Sequence, residues 1–332
     1  MNVRKVARIV LGVVALSACA QSAAEESAPL SIEARIPLGA VKGRIDHLAI
    51  DVAHRRLFVA ELGNDSVGVV DLAQRSVARN LTALDEPQGI AYMPASDTLY
   101  VANGGDGSLR SFQGAELAPV ASIEVGSDAD NVRIDQDRKQ IYVGHGNGAI
   151  AVIDAATGKR AANIRLKAHP ESFQLDAAGQ RIYVNVPDAH EIAVVDRKTN
   201  AQVASWPTME LRANFAMAID ETNGRLLTVF RQPPTLAAMK LTDGTGGTRV
   251  TTCGDADDVF HDARRGLIYI SCGEGYVDVL RPDGTKYSRI AQLKTAPGAR
   301  TALFAPSMDR LYLAVRAEKD EPAAVWVLRP VN

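Results

Sequence analysis

At intervals of about 42 residues the chain returns to one short phrase: a polar loop, an apolar strand ending in a small turn, then an aromatic and aliphatic strand. The clearest copies are IDHLAID (45–51) followed by LFVAE, DNVRID (130–135) by IYVGH, ESFQLD (171–176) by IYVNV, and DDVFHD (257–262) by IYISC. Degenerate copies fill the gaps: GIAYMP with LYVAN, NFAMAID with LLTVF, and TALFAP with LYLAV, making seven in all. A fixed period of this length restricts the chain to radial or linear repeat architectures, because one such unit cannot bury its apolar face alone.

Within a unit a further strand follows, as in SVGVVDL, AIAVIDA, EIAVVDR and YVDVLRP, and a weaker fourth closes it, as in VARNLTAL or RAANIRL. β-Branched and aromatic alternation with Gly, Asn and Asp punctuation predicts strands and hairpins, and no stretch after the first thirty residues keeps a helical period. The expected fold is all-β: a seven-bladed β-propeller of four-stranded antiparallel blades. The last unit has strands at 301–305, 311–315 and 324–328 and then stops. Residues 31–37 (SIEARIP) are expected to supply its missing strand, so that the N-terminal strand completes the C-terminal blade and 31–332 is one domain.

The repeated IYV-G/A-N/H, the aliphatic strand ending in Asp (VVDL, VIDA, VVDR) and the turns AATGKR and RKTNAQ resemble the YVTN-type repeat of the YncE-like family of bacterial secreted propellers. The resemblance spans the mature chain and departs most in the fifth unit, at RQPPTLAAMKL. It implies fold and export but no single activity, since propellers host binding, scaffolding, lyase and lactonase functions alike. Family members have been linked to DNA. Here 37 Lys and Arg against 39 Asp and Glu, net charge −2 and no basic run longer than Arg-Arg argue against nucleic acid.

The first twenty residues read as a secretion signal: MNVRKVAR is basic and IVLGVVAL is an apolar run too short for a permanent membrane span. LSAC at 16–19 matches a lipobox, in which Cys19 would become the lipidated first mature residue; ordinary cleavage after Ala18-Cys19-Ala20 is the alternative. Ala20 after the cysteine favours an outer-membrane anchor by resemblance to lipoprotein sorting, and residues 21–30 form a polar tether. The expectation is a periplasmic monomer that touches membrane only through that anchor. Cys253 and Cys272 remain as an even pair in an oxidising compartment, at positions that share one face of the sixth unit, so a disulfide is expected, with two buried thiols as the alternative.

Superposing the repeats places Asp46, Gln88, Asp130, Glu171, Phe215, Asp257 and Arg300 in one ring at the channel mouth, and His47, Asn131 and Asp258 one residue further in. The ends of the second strands add Glu61, Asn103, His145, Asn185 and Arg231, while Arg44 and His169 fall in leading loops. Convergent polar groups on one rim predict a ligand site on the top face. The four carboxylates Asp46, Asp130, Glu171 and Asp257 are candidate ligands for a divalent cation (Ca²⁺, Mg²⁺, Mn²⁺ or Zn²⁺). Asp51, Asp135, Asp176, Asp220 and Asp262, with Asp71, Asp154 and Asp196, read as turn residues instead. Two functional readings follow. One is a propeller that binds a small ligand or a periplasmic partner protein. The other is a metal-dependent hydrolase of the gluconolactonase-like type, although the glutamate-centred metal motif of those lactonases is not recognisable.

Overall fold

In a computed structural model the described residues are 1, 28–319 and 321–331. The proposed signal and its Cys19 lie outside them. They form seven four-stranded antiparallel sheets. Blade 3 is typical, running from the innermost strand Ala129–Asp135 through Gln140–His145 and Ala149–Asp154 to the outermost Lys159–Arg165. The middle strands are buried on both faces, as the near-continuous apolar runs require, whereas outermost strands such as Ser76–Leu81 alternate exposed and half-buried positions.

Seam residues follow the repeat. In six of the seven blades an aromatic of the second strand pairs with the inner strand at one level: Ala49 with Phe58, Ala91 with Tyr100, Arg133 with Tyr142, Gln174 with Tyr183, Phe260 with Tyr269 and Leu303 with Tyr312; in blade 5 Leu227 takes that place opposite Ala218. The repeated aspartates close turns as expected: Asp154 Oδ1 accepts the amides of Ala156 and Thr157, and Asp262 Oδ1 those of Arg264 and Arg265. In AATGKR and RKTNAQ the left-handed positions are taken by Gly158 (φ 66°) and Asn200 (φ 53°), the residue types that adopt it at least strain.

Closure occurs at the predicted place. Leu30–Pro37 pairs antiparallel with Ala324–Pro330 at the outer edge of blade 7, in the order 30–37, 324–330, 310–315, 302–305. Leu30 and Ile36 from this strand are buried in two different core clusters on either side of the blade. The departure in the fifth unit is a tight connection with a cis Gln232–Pro233 bond between Arg225–Gln232 and Pro234–Lys240, and the blade keeps its four strands.

Cys253 and Cys272 form a disulfide. It ties the loop leading into blade 6 to the end of that blade's second strand, closing 19 residues of sequence. Cross-links of this loop length stabilise by about 3 kcal/mol, chiefly by restricting the unfolded chain. The Cys253→Ser/Cys272→Ser protein is therefore expected to unfold at lower denaturant with an unchanged fold, and an unchanged urea midpoint would refute the contribution.

Candidate functional site

Loops leading into the inner strands share a backbone device. Two residues before the channel-mouth ring, the chain turns left-handed at Glu86, Asp128, Ala213, Asp255 and Gly298, with φ between 49° and 75°. This creates an outer ring above the predicted one. Asp128-Ala129-Asp130 and Asp255-Ala256-Asp257 carry a carboxylate in both rings. His169 and Arg44 occupy the corresponding places in blades 4 and 1.

The funnel between these rings encloses about 420 Å³ and is lined by Arg44, Asp46, His47, Asp130, Asn131, His169, Glu171, Asp257 and Arg300, with Gln88 and Phe215 of the same predicted ring. Arg231 stands beside them, its guanidinium 3.6 Å from the Phe215 ring, and Phe215 also lines the funnel. Asp258 lies deeper, where the channel narrows around His47. At this waist Gly89 is required by space, since a Cβ there would meet the Asp130 carbonyl oxygen at 2.1 Å. Blades 2 and 3 approach closely enough to seat Asp130 only because that side chain is missing.

Glu61, Asn103, His145 and Asn185 are not part of the lining; all four are buried at the ends of second strands. Glu61 accepts from Ser66 Oγ at 2.6 Å, Asn103 accepts the Asp85 amide, and His145 Nε2 lies 3.0 Å from Asn163 Oδ1. Asn185 donates to the carbonyls of Phe215 and Ala216 across the blade seam and so positions the funnel wall from behind. These ends turn into the blades because their strands are buried throughout; their polar groups hold loops rather than face the funnel.

The four-carboxylate ring is electrostatically divided. Asp46 sits 2.7 Å from Arg44. Asp257 is clamped by Arg231 (2.5 Å) and Arg300 (3.1 Å), and both arginines also reach Asp255, which sequence reasoning did not single out although its D-A-D spacing repeats that of Asp128. The predicted set of four metal ligands is thus split, with two members already neutralised by arginine.

The other half has no such partner. Asp130 Oδ2 accepts from Asn131 at 3.3 Å, but Asp130 Oδ1 and His169 Nδ1 are buried without a hydrogen bond. Ligand atoms of Asp130, His169 and Glu171 lie within 4.8 Å of one another. Burial first, then the charges of Asp130 and Asp257, push Glu171 up to about 8. Burial raises Asp130 to about 6, with Asp46 and Asp257 adding to it and His47 and Arg44 opposing. Below them His47 is caged by Asp46 (3.8 Å), Asp258 (3.9 Å) and Asp130 (4.0 Å). Burial disfavours its imidazolium, but these carboxylates outweigh burial and its pKa is raised.

A side cavity of about 530 Å³ over blades 4 and 5 shares Asp128, His169, Glu171 and Phe215 with the funnel and adds Asp188, His190, Arg212 and Gln232. His169 and Glu171 therefore stand at the junction of two cavities.

The sequence matches no family model and no curated protein. Among solved structures it is similar to a chain of Kuenenia stuttgartiensis hydrazine synthase, with TM-score 0.75 and 16% identity over 87% of this chain and 95% of that one. It is also similar to a chain of the mitotic checkpoint complex, with TM-score 0.77 and 13% identity over 99% of this chain and 100% of that one. At these identities the likeness shows the fold, a β-propeller, and nothing of the site.

Proposed function

We propose that the protein is an exported binding propeller whose top funnel holds a small oxygen-rich ligand through a divalent cation carried by Asp130, His169 and Glu171. The observation that carries this reading is the half of the rim without an arginine clamp: two carboxylates and an imidazole within 4.8 Å, with Asp130 Oδ1 and His169 Nδ1 buried and without a hydrogen bond, although His47 stands 4.0 Å from the first and Asp128 3.8 Å from the second. Carboxylates so placed repel each other unless protonated or bridged, and a cation relieves the repulsion while leaving coordination positions open toward the funnel. One imidazole with two carboxylates suits Mn²⁺ or Zn²⁺ better than Ca²⁺, which takes six to eight oxygens. Arg231 and Arg300 elsewhere on the rim then offer N–H groups to an anionic part of the ligand.

Export is supported by the signal-like first twenty residues and by the disulfide, and the YncE-like repeat resemblance points the same way. A second reading, metal-dependent hydrolysis, has one observation in its favour: His47, 4.0 Å from Asp130 and raised in pKa, stands where a proton donor would act.

The test is elemental analysis of the purified mature protein together with its melting temperature in chelator and in added Mn²⁺ or Zn²⁺. A ligand present at a hundred times its Kd stabilises a fold by about 2.7 kcal/mol, a shift of several degrees. One ion per chain with such a shift is expected. No retained ion and no shift in either titration would sink the reading.

A further inference from the structure

Below the waist the channel opens again. This lower vestibule, about 600 Å³, is walled mainly by apolar side chains, among them Ile50, Tyr92, Leu175, Ile219, Phe260 and Leu303. The repeat accounts for the room: at the level where Arg133 and Gln174 stand on blades 3 and 4, blades 1, 2 and 5 carry only Ala49, Ala91 and Ala218.

Arg133 is the unusual member. Its Nη1 donates to the carbonyl of its own neighbour Val132 at 2.9 Å, and its guanidinium lies 5.6 Å from the Phe173 ring. No carboxylate among the described residues comes within ion-pair distance of it, whereas Arg197 is held by Asp135 and Arg56 by Asp51 and Asp97. The neighbouring acids are engaged elsewhere: Asp258 accepts the Ala302 amide and faces His47, and Glu221 accepts the Ala177 amide. Burial lowers the pKa of Arg133, with Asp258 and Asp130 only partly opposing, so the charge is held in a place that disfavours it. An apolar chamber with a single under-used guanidinium at its inner end matches a molecule with an apolar body and one anionic head.

We propose that the lower vestibule is a second binding site, independent of the funnel, for an amphipathic organic carboxylate, with its carboxylate on Arg133 and its hydrocarbon body against Tyr92, Ile219, Phe260 and Leu303. Octanoate is the probe, titrated calorimetrically into the mature protein, with octanol and octylammonium as neutral and cationic matches. Octanoate is expected to bind one per chain, and Arg133→Met to weaken it at least about tenfold, the loss of a charge-assisted pair. Octylammonium should not bind. Ala91→Met, which fills the chamber and leaves the guanidinium in place, is expected to weaken octanoate equally, and keeps the test valid if Arg133→Met fails to fold. Glu171→Gln in the funnel should leave octanoate binding unchanged. The proposal is overturned if octanoate does not bind, if octanol binds as tightly, if Ala91→Met binds octanoate as the parent does, or if Glu171→Gln abolishes binding.

Discussion

A chain beginning at residue 39 is expected to lose its cooperative unfolding transition at ambient temperature, whereas one beginning at residue 28 should keep it. The longer truncation removes Leu30–Pro37, the outer strand of blade 7, and with it Leu30, Ile36 and Leu38, all buried. Burying side chains of this kind contributes roughly 1.5–3 kcal/mol each, so the three together supply about 5–9 kcal/mol, comparable with the whole stability of an ordinary domain. Ile36 packs in a cluster that includes Leu57 and Val70 of blade 1 as well as Val325 of blade 7, so the loss opens the seam between the first and last blades. The strand Ala324–Pro330 would also become a bare edge, open to pairing with other chains. Circular dichroism melts and size-exclusion chromatography read both effects. A synthetic peptide of residues 28–38 should restore the transition in trans, as expected if the clasp acts through pairing and packing. A melting temperature within a few degrees of the parent for the chain beginning at residue 39 would show that the ring does not depend on its clasp.

That clasp was legible in the sequence because a repeat protein reveals its own omissions: three strands after Thr301 and one unassigned strand before the first unit leave a single closed arrangement. The turn aspartates were legible for a similar reason, since a backbone device recurs wherever the backbone does. The funnel was legible only in position. Superposing repeats found Asp46, Asp130, Glu171 and Asp257 on one ring, but which carboxylates are neutralised depends on where arginines reach, and Arg231 and Arg300 reach across blades to Asp255 and Asp257. Column position cannot encode that reach. The ends of the second strands misled because Glu61, Asn103, His145 and Asn185 sit in sequence next to top-face loops while their side chains belong to the seams. Arg133 is not marked by the repeat, since it stands in the middle of an inner strand, where an apolar or small residue is the rule, and its meaning depends on the alanines of three other blades.

The other large effect belongs to Glu171, and it is a coupled one. Without a cation, Glu171 titrates at about 8 and Asp130 at about 6, both above the ordinary carboxylate values of 4.5 and 3.8. The folded chain then keeps a proton at Glu171 that the unfolded chain has released, so this contribution to stability is whole below about pH 4.5 and is lost as pH rises through 8. His47, whose pKa is also raised, acts with the same sign, its contribution lost as pH rises through its folded value. The melting temperature of the cation-free protein should therefore fall between pH 5 and pH 8.5 by these groups, and Glu171→Gln should flatten the fall and melt above the parent at the alkaline end. With Mn²⁺ or Zn²⁺ the order reverses. The cation must displace the Glu171 proton, so affinity should rise by up to about tenfold per pH unit toward pH 8, and calorimetry in buffers of different ionisation enthalpy should record close to one proton released at pH 7. Glu171→Gln is expected to lose about a hundredfold or more in affinity, exceeding what outer-shell changes cost, and to lose that proton as well. If the variant bound the cation as tightly as the parent, with the same pH slope, the ion would sit elsewhere and the raised pKa of Glu171 would reflect only burial and its acidic neighbours. If neither protein bound a cation while the alkaline rescue by Glu171→Gln persisted, the electrostatics of the funnel would stand and its role would pass from cation site to a polar pocket held for an uncharged ligand.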